Sequence, residues 1–276
     1  MSALKNLRHV YVGTSGWSLS HHVAPGSRPG LTGLERYAEY FNAVEINSTF
    51  YRVPRRSTIE RWRESTPEDF RFAVKLPRSI THEARLVDVE ATTSAFCELI
   101  ARFEQKLGPL LVQLPPSLEL DMTVARAFLT HLTRVAPAPV VLEPRHPTWF
   151  GEAAERLLLD SGVARAAADP GCCAAATQPG ASLRPAYFRW HGSPHKYFSA
   201  YLPEAIASLA QRVVAIRRQA ARHDVYCFFD NTALGAAAVN AISLKADLLA
   251  TPSFRRQATP ASDADSAASP TDRGAR

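Results

Sequence analysis

Cysteine is scarce in this chain of 276 residues, which has only Cys97, Cys172, Cys173 and Cys227. So few cysteines cannot make a disulfide scaffold, and their positions lack the spacing of a zinc site. The adjacent pair is better explained as two small buried residues in an alanine-rich loop than as a redox centre. The scarcity predicts a protein of a reducing, cytoplasmic compartment.

Long apolar runs are also absent. The first nine residues contain no apolar core ahead of a small-residue cleavage site, so we expect no signal peptide. No uncharged apolar run reaches the roughly 18 residues that a membrane-spanning helix needs. The sequence therefore predicts no contact with a membrane.

Motifs that bind metals and cofactors are missing as well. The chain has no HExxH motif, so the sequence assigns no metal ligand, although a divalent ion held at strand ends is left open. The run GTSGW after the first predicted strand differs from the glycine fingerprint of dinucleotide-binding folds. No cofactor is predicted.

Basic residues exceed acidic ones, but they form no blocks. The formal charge is +6 and the isoelectric point is about 9.3. Lysines and arginines are spread along the chain rather than gathered into the clusters typical of nucleic-acid binding. The excess favours an anionic partner only weakly, and composition bias explains it equally well.

Eight segments have the alternation or the short apolar run of a β-strand. They lie at 9–13, 44–52, 70–76, 109–114, 140–145, 163–169, 187–191 and 225–229. Between most of them, apolar residues recur at the spacing of an amphipathic helix. The segment 171–184 lacks this spacing, so the sixth repeat is expected without a regular helix.

Local signals predict where some helices begin and end. Ser57 with Glu60 three residues later has the form of a capping box that starts the second helix. Gly108 is expected to stop the third helix, and Asp121 to cap the fourth. One apolar stripe predicts the last helix: Val239, Ile242, Ala246 and Leu249.

Strands that alternate with helices predict one α/β domain with right-handed crossovers. Eight repeats suggest a single (β/α)8 TIM-type barrel over residues 1–250 with a degenerate sixth helix, and a disordered tail over 251–276. A doubly wound open sheet is the alternative. The long connections at 18–32, 77–91 and 193–203 all follow strands, which is where active sites of such barrels lie.

Polar side chains occupy the ends of the predicted strands, and several share one side of a strand because side chains alternate. Buried charges need partners, so these residues should meet. The candidates for catalysis are Glu45, Glu143, His191 and Lys75. The candidates for substrate binding are Asn47, Thr49, Tyr51, Arg78, His82, Gln113, Arg145, Asp169, Arg189, Asp230, Asn231 and Trp17.

The same charges have a purely structural explanation, an interior network of ion pairs without chemistry. Their position at strand ends rather than in strand centres favours a functional site for the set as a whole. For Glu45 the hypothesis has two forms. It is either a catalytic carboxylate or the counter-ion of a buried Lys75.

Seven segments carry a resemblance to a known family. They are GTSGW, VEINSTFYR, FAVKLPRSITHEARL, GPLLVQLPPS, EPRHPTW, FRWHG and FFDNTALGAAAVNA, in that order. They are similar to the YecE-like family, domain of unknown function 72, and the likeness extends from Val10 to Ala241. The resemblance implies a TIM-type barrel with a polar pocket at its carboxyl-end face, but no reaction, because the family is uncharacterised.

We expect an enzyme that acts by acid–base chemistry on a small phosphorylated or carboxylated compound, as an isomerase, lyase or hydrolase. The expected proton carriers are Glu45, Glu143 and His191, and the expected anion-holding residues are Lys75, Arg145 and Arg189, with Asn47 and Asn231 orienting the ligand. Lys75 would alternatively form a Schiff base if its pKa were depressed. Two other classes stay open, a nucleic-acid-binding or nuclease-like barrel and a non-catalytic ligand- or partner-binding barrel.

Overall fold

A computed structural model describes residues 7–19, 23, 30–219 and 223–255 of the chain. Within them, strands form two sheets. The strands are β1 (Val10–Thr14), β2 (Ala43–Ile46), β3 (Arg71–Lys75), β4 (Leu107–Gln113), β5 (Val140–Glu143), β6 (Ala164–Arg165), β7 (Ala167–Asp169), β8 (Gly180–Ala181), β9 (Ala186–Trp190) and β10 (Val225–Phe229). One sheet has the order β1-β10-β9-β7 and the other β2-β3-β4-β5-β6-β8. Every pairing is parallel except that of β6 with β8.

The two sheets approach each other at two places. Just after β1, Ser15 forms a parallel bridge with Glu45 of β2, and the backbone N–H of Gly16 donates to the Glu45 carbonyl at 2.8 Å. At the other place, the predicted sixth strand is divided at Ala166, because β6 pairs with β5 whereas β7 pairs with β9. The α/β class is confirmed. The closed barrel is not confirmed, since the described ladders form two sheets rather than one ring.

Helices follow most of the strands. They are α1 (Gly33–Tyr40), α2 (Arg56–Glu64), α3 (Glu90–Ile100), α4 (Met122–Val135), α5 (Glu152–Asp160), α6 (Pro203–Gln219), α7 (Ala236–Ala250) and α8 (Pro252–Arg255). Shorter helical turns lie at Ser48–Phe50, Ser79–Glu83, Ala101–Lys106, Pro147–Phe150 and Ala174–Thr177. Three of these turns come soon after β2, β3 and β5, so they carry the chain away from the carboxyl ends of those strands.

The predicted helix ends are right in one case and wrong in two. Asp121 caps α4, and its carboxylate accepts from two backbone N–H groups at 2.8 and 3.0 Å. Ser57 lies inside α2, because the extended residue that precedes the helix is Arg55. Gly108 lies within β4, where an added Cβ would be 3.2 Å from the Phe72 carbonyl oxygen. A close backbone approach, rather than a helix stop, therefore explains this glycine.

The apolar stripe predicted for α7 is on the wrong face. Val239 is 53% exposed and Ile242 is 36% exposed, whereas Leu244 and Leu248 are fully buried. Alanines such as Ala241 continue the buried face, since they allow the helix to pack closely. Small side chains carry a weak hydrophobic signal, and the larger exposed residues therefore dominated the pattern.

The sixth repeat lacks a regular helix, as predicted. A short turn at Ala174–Thr177 and the two-residue strand β8 occupy its place within the described residues. Cys172 in this segment is exposed, so its explanation as a small buried residue is wrong. The turn is held by Arg165, whose Nη1 donates to the carbonyls of Ala175 and Gln178 at 2.9 and 3.2 Å.

An inner cluster of buried residues lies on the same side of the strands as the charged candidates. Its members are Ala43, Ala73, Leu111, Val141, Ala164, Ala166, Tyr187, Tyr226 and Phe228. Several of them stand two positions before a charged or polar candidate, as Ala43 does before Glu45 and Tyr187 before Arg189. Because side chains alternate along a strand, the candidates form the next layer toward the carboxyl ends.

The described chain continues beyond the predicted domain boundary at Thr251. Residues of α8 follow it, and Phe254 is buried at 4% exposure, so the tail predicted from residue 251 begins too early. The rest of that predicted tail, 256–276, lies outside the described residues. In the part of the chain that the structure describes, no helix is long and apolar enough to cross a membrane.

Candidate functional site

The centre of the site is Arg189, the residue before the last of β9. Its Nε and Nη2 donate to the two carboxylate oxygens of Glu45 at 2.8 and 2.7 Å, and its Nη1 donates to Glu143. The hydroxyl of Tyr187 donates to Glu45 as well, at 2.8 Å. Glu45 is therefore the counter-ion of Arg189, and its expected pairing with Lys75 is wrong.

Glu143, the last residue of β5, accepts hydrogen bonds at both of its oxygens. Gln113 Nε2 donates to Oε2 at 3.0 Å, and Arg145 Nε donates to Oε1 at 3.1 Å. Burial alone would raise the pKa of Glu143, but Arg189 and Arg145 hold that pKa well below its ordinary value. A carboxylate with so low a pKa is a weak general base at neutral pH. Glu143 is better suited to hold cations than to take a proton.

His191 lies directly after β9 and is 1% exposed. Its Nδ1 is 3.0 Å from Asp230 Oδ2, and its Nε2 is 3.2 Å from both Arg145 Nη2 and Glu143 Oε1. Burial raises the pKa of Asp230, yet the hydrogen bond from His191 and the charge of Arg189 lower it below its ordinary value. An ionised Asp230 therefore orients the imidazole, an arrangement suited to proton transfer.

Lys75, the last residue of β3, lies beside this network. Its Nζ donates to Gln113 Oε1 at 2.8 Å and stands 4.0 Å from the ring centre of Phe50. Among the described residues, no carboxylate lies within ion-pair distance of Nζ. Burial, together with the charge of Arg189, lowers the pKa of Lys75 to about 8. This amine is therefore partly deprotonated near neutral pH.

Cations converge on His82, which lies in the helical turn after β3. Its ring centre is 4.8 Å from that of Phe50. Burial lowers the pKa of His82, and the charges of Lys75, Arg145 and Arg78 lower it further. Three cations and one carboxylate, Glu83, therefore act on the imidazole, and an excess of positive charge attracts an anion.

Three predicted site residues lie apart from the hydrogen-bonded network. Arg78 pairs with Glu83 at 2.9 Å, and both side chains are about half exposed. Tyr51 is 75% exposed. Trp17 packs edge-on against Trp62, with ring centres 5.0 Å apart. Tyr51 and Arg78 are available to a ligand at the surface, whereas Trp17 has a packing role.

Two further predicted residues have structural partners. The hydroxyl of Thr49 donates to the carbonyls of Ile46 and Lys75 at 2.9 and 2.7 Å, which fixes the turn after β2. The carboxylate of Asp169 accepts from Tyr201 at 2.8 Å. Both residues support the strand ends that carry the site.

Each of the two predicted asparagines has a buried side-chain oxygen, Oδ1. Asn47 donates to Ser15, while Asn231 donates to the Ser199 carbonyl at 2.8 Å and to Asn240 at 2.9 Å. Within the described part of the chain, Oδ1 of Asn47 and of Asn231 has no hydrogen-bond partner. A buried acceptor without a donor is costly. Asn231 does not cap α7, because Gly235 precedes that helix.

Sequence reasoning missed three members of the site. Tyr187 lies two residues before Arg189, so the alternation of β9 carried a signal for it. Ser15 contacts Asn47 and acts on Asp230, and it lies in a turn where alternation gives no orientation. Phe50 lies under Lys75 in a helical turn, and only the fold brings it there.

The structure also addresses metal binding. In the residues that the structure describes, no group of three or more His, Cys, Asp or Glu side chains is arranged to hold a metal ion. The carboxylates that would serve as ligands are Glu45, Glu143 and Asp230, and each is engaged by Arg189 or His191.

The fold and the site define an α/β protein, with mainly parallel strands and a buried charge network where those strands end. The family model described as "Protein of unknown function DUF72" matches residues 11–264. The chain therefore belongs to the DUF72 family, which confirms the resemblance inferred from its sequence segments.

Two curated relatives share about half of the chain. The UPF0759 protein YecE of Escherichia coli (strain K12) is 34% identical over 155 residues, which cover 56% of this chain and 55% of that protein. The UPF0759 protein YunF of Bacillus subtilis (strain 168) is 26% identical over 147 residues, covering 51% and 52% respectively. The matched part thus spans about half the length of each relative.

Solved structures share the fold over a larger part. A DUF72 family protein from Thermotoga maritima MSB8 has a TM-score of 0.70 and 28% identity, covering 87% of this chain and 98% of that one. A DUF72 family protein from Enterococcus faecalis V583 has a TM-score of 0.70 and 22% identity, covering 87% and 95%. The latter shows a common fold alone.

Proposed function

We propose that this chain is an enzyme that acts by acid–base chemistry on a small anionic compound at the carboxyl ends of its strands. The observation that carries the proposal is the set of cations beside the buried network. Within the network, Glu45 and Glu143 pair with Arg189. Beside it, the charges of Lys75 and Arg145 act on His82.

The outer cations favour a carboxylate or a phosphate as the group that binds. The side chain of Arg145 is 18% exposed, whereas that of Arg189 is 1% exposed, so Arg145 is the arginine of the network that a ligand reaches more easily. Arg78 is half exposed and pairs only with an exposed glutamate among the described residues. One guanidinium group can bind two oxygens of a carboxylate or phosphate at once, which orients the ligand as well as increasing its affinity.

Proton transfer is assigned to His191 rather than to the glutamates. Both oxygens of Glu45 and of Glu143 already accept from cationic donors. His191 instead contacts Asp230 through one ring nitrogen and both Arg145 and Glu143 through the other. A substrate that takes the place of Arg145 and Glu143 at Nε2 would exchange a proton with His191 there.

We further infer that the two sheets make up one (β/α)8-type barrel. The inference is supported by the bridge from Ser15 to Glu45 and by the division of one strand between the sheets at Ala166. Slow amide hydrogen exchange at Gly16, comparable with that inside β1, is the expected result. Exchange at the rate of an exposed loop would contradict a joined barrel.

Binding of small anions tests the function. Phosphate and oxalate should raise the melting temperature and give saturable isothermal calorimetry curves, because a ligand that binds only the native state adds about 2.7 kcal/mol at 100 times its Kd. Arg145→Met should weaken this binding at least tenfold. Arg156→Met, which removes an exposed arginine from α5, is the matched control and should change nothing. Equal effects of both substitutions, or no saturable binding at all, would overturn the proposal.

A further inference from the structure

Lys75 differs from the other buried lysines in its surroundings. The chain has five lysines, at positions 5, 75, 106, 196 and 245. Lys106 donates to the carbonyls of Arg63 and Thr66 at 2.8 and 2.6 Å, which is a structural role. Lys245 donates to the Tyr40 carbonyl, and burial lowers its pKa to about 8. Among the described lysines, only Lys75 combines a buried amine, a neutral amide acceptor and the nearby charge of Arg189.

We propose that the Nζ of Lys75 is a nucleophile that condenses with the carbonyl carbon of a small oxo acid, an aldehyde or ketone that also carries a carboxylate or phosphate. This inference rests on the proposed function, because Arg145 and the cations around His82 are the groups that would hold the acid. Beyond the proposed function, the inference specifies that the substrate has a carbonyl group and that Lys75 forms a covalent bond to it.

The surroundings of Nζ favour the free amine. At pH 7 a lysine with a pKa of about 8 has about a tenth of its amine deprotonated, against on the order of one part in 3,000 for an ordinary lysine. The amide oxygen of Gln113 accepts from the amine in either state, whereas a carboxylate would hold the ammonium form. A lysine freed in this way is the nucleophile of imine-forming enzymes.

The condensation balances without an oxidant or a reductant. The ammonium of Lys75 first loses a proton, and the nitrogen lone pair then forms a bond to the carbonyl carbon while the C=O π pair moves to oxygen. That oxygen gains the lost proton and a second proton from nitrogen, and it leaves as water. The product is a protonated imine, and its positive charge is favoured by the charges of Glu143 and Glu45, which act on Nζ from beyond ion-pair distance.

The amine lies close to the surface. Lys75 is 7% exposed, and its Nζ is 4.0 Å from the ring centre of Phe50. Phe50 packs edge-on against the ring of Tyr51, with ring centres 5.0 Å apart, and Tyr51 is 75% exposed. The ring of Phe50 also contacts His82, which is partly exposed.

Reductive trapping tests the proposal on the full chain. Glyoxylate, an anionic aldehyde, and acetaldehyde, a neutral one of similar size, are each incubated with the protein at pH 7.5 and reduced with sodium borohydride. Peptide mass spectrometry then locates the alkylated lysines. Lys245 is an internal control, since its pKa is also about 8 but the charges around His82 do not reach it. We expect the glyoxylate-to-acetaldehyde ratio at Lys75 to exceed that at Lys245 about tenfold, the least that one charge-assisted hydrogen bond provides.

Two variants complete the test. Lys75→Arg keeps the positive charge and should lose the adduct at this position while phosphate still binds. Lys245→Arg should leave the adduct on Lys75 intact. If glyoxylate binds saturably and leaves Lys75 unlabelled, the imine is overturned and the proposed anion site stands. If neither glyoxylate nor phosphate binds, both proposals fail.

Discussion

Arg189 donates hydrogen bonds to both carboxylate oxygens of Glu45, at 2.8 and 2.7 Å, although the two residues are 144 positions apart in the sequence. Both side chains are buried, and Glu143 approaches the same guanidinium from the other side. One arginine thus compensates carboxylates from two strands. Removal of any one member leaves a buried charge without its partner.

The first prediction concerns Glu45. Glu45→Ala should lower the free energy of unfolding by about 3–5 kcal/mol, because it leaves Arg189 incompletely compensated. Tyr187→Phe removes a single donor to the same carboxylate and should cost about 1 kcal/mol. Urea denaturation measures both. The exposed pair Arg156 and Glu152, also at 2.7 Å, is the control, and its loss should have no measurable effect. Similar costs for the buried and exposed pairs would contradict the network.

The second prediction is a loss of stability in acid. The pKa of Glu143 is held well below its ordinary value of 4.5, and that of Asp230 is also lowered. Each contributes stability that is present above the unfolded-state pKa and lost as pH falls through the folded-state value. The melting temperature should therefore fall steeply below pH 4.5. Glu143→Gln should make this dependence shallower, and an unchanged slope would contradict the assignment.

The third prediction concerns the pH dependence of anion binding. Lys75 loses its positive charge as pH rises through about 8, so the affinity for phosphate should fall across that pH. Lys75→Met should bind phosphate more weakly at pH 7 and lose the midpoint near 8. Calorimetric titrations between pH 6.5 and 9.5 provide the measurement. A midpoint near 8 that persists in the variant would assign it to another group.

The fourth prediction tests the packing of α7. Leu244→Ala should lower the free energy of unfolding by about 2–5 kcal/mol, since Leu244 is fully buried. Ile242→Ala, on the same helix at 36% exposure, should cost much less. Thermal and urea denaturation of the two variants decide the question. A larger loss of stability for Ile242→Ala than for Leu244→Ala would support the buried face that the sequence pattern predicted.

Alternation along the strands predicted which charged side chains meet. Glu143 with Arg145, and Arg189 with His191, share a side because the strand period is two. The partner of Glu45 could not be predicted in this way. Lys75 lies on the adjacent strand, but the longer arginine on β9 reaches Glu45 across the interior. Sequence order gives neighbouring strands, whereas the reach of side chains across an interior depends on their final positions.

The alanine-rich segments carried the least information. The segment 163–169 has no large side chain after Arg165, so nothing in it signals that its two halves pair with different sheets. The stripe of α7 failed for the same reason, because alanines form much of its buried face. Hydrophobic patterns depend on differences in side-chain size, and these segments have few.

The bridge between Ser15 and Glu45 has a consequence for biosynthesis. The backbone of Glu45 joins the two sheets, and its carboxylate pairs with Arg189, which is synthesised much later. While the ribosome is still making the second half, β2 cannot be finally buried without leaving a carboxylate uncompensated. A chain truncated before β9 is therefore expected to aggregate more readily than the full chain.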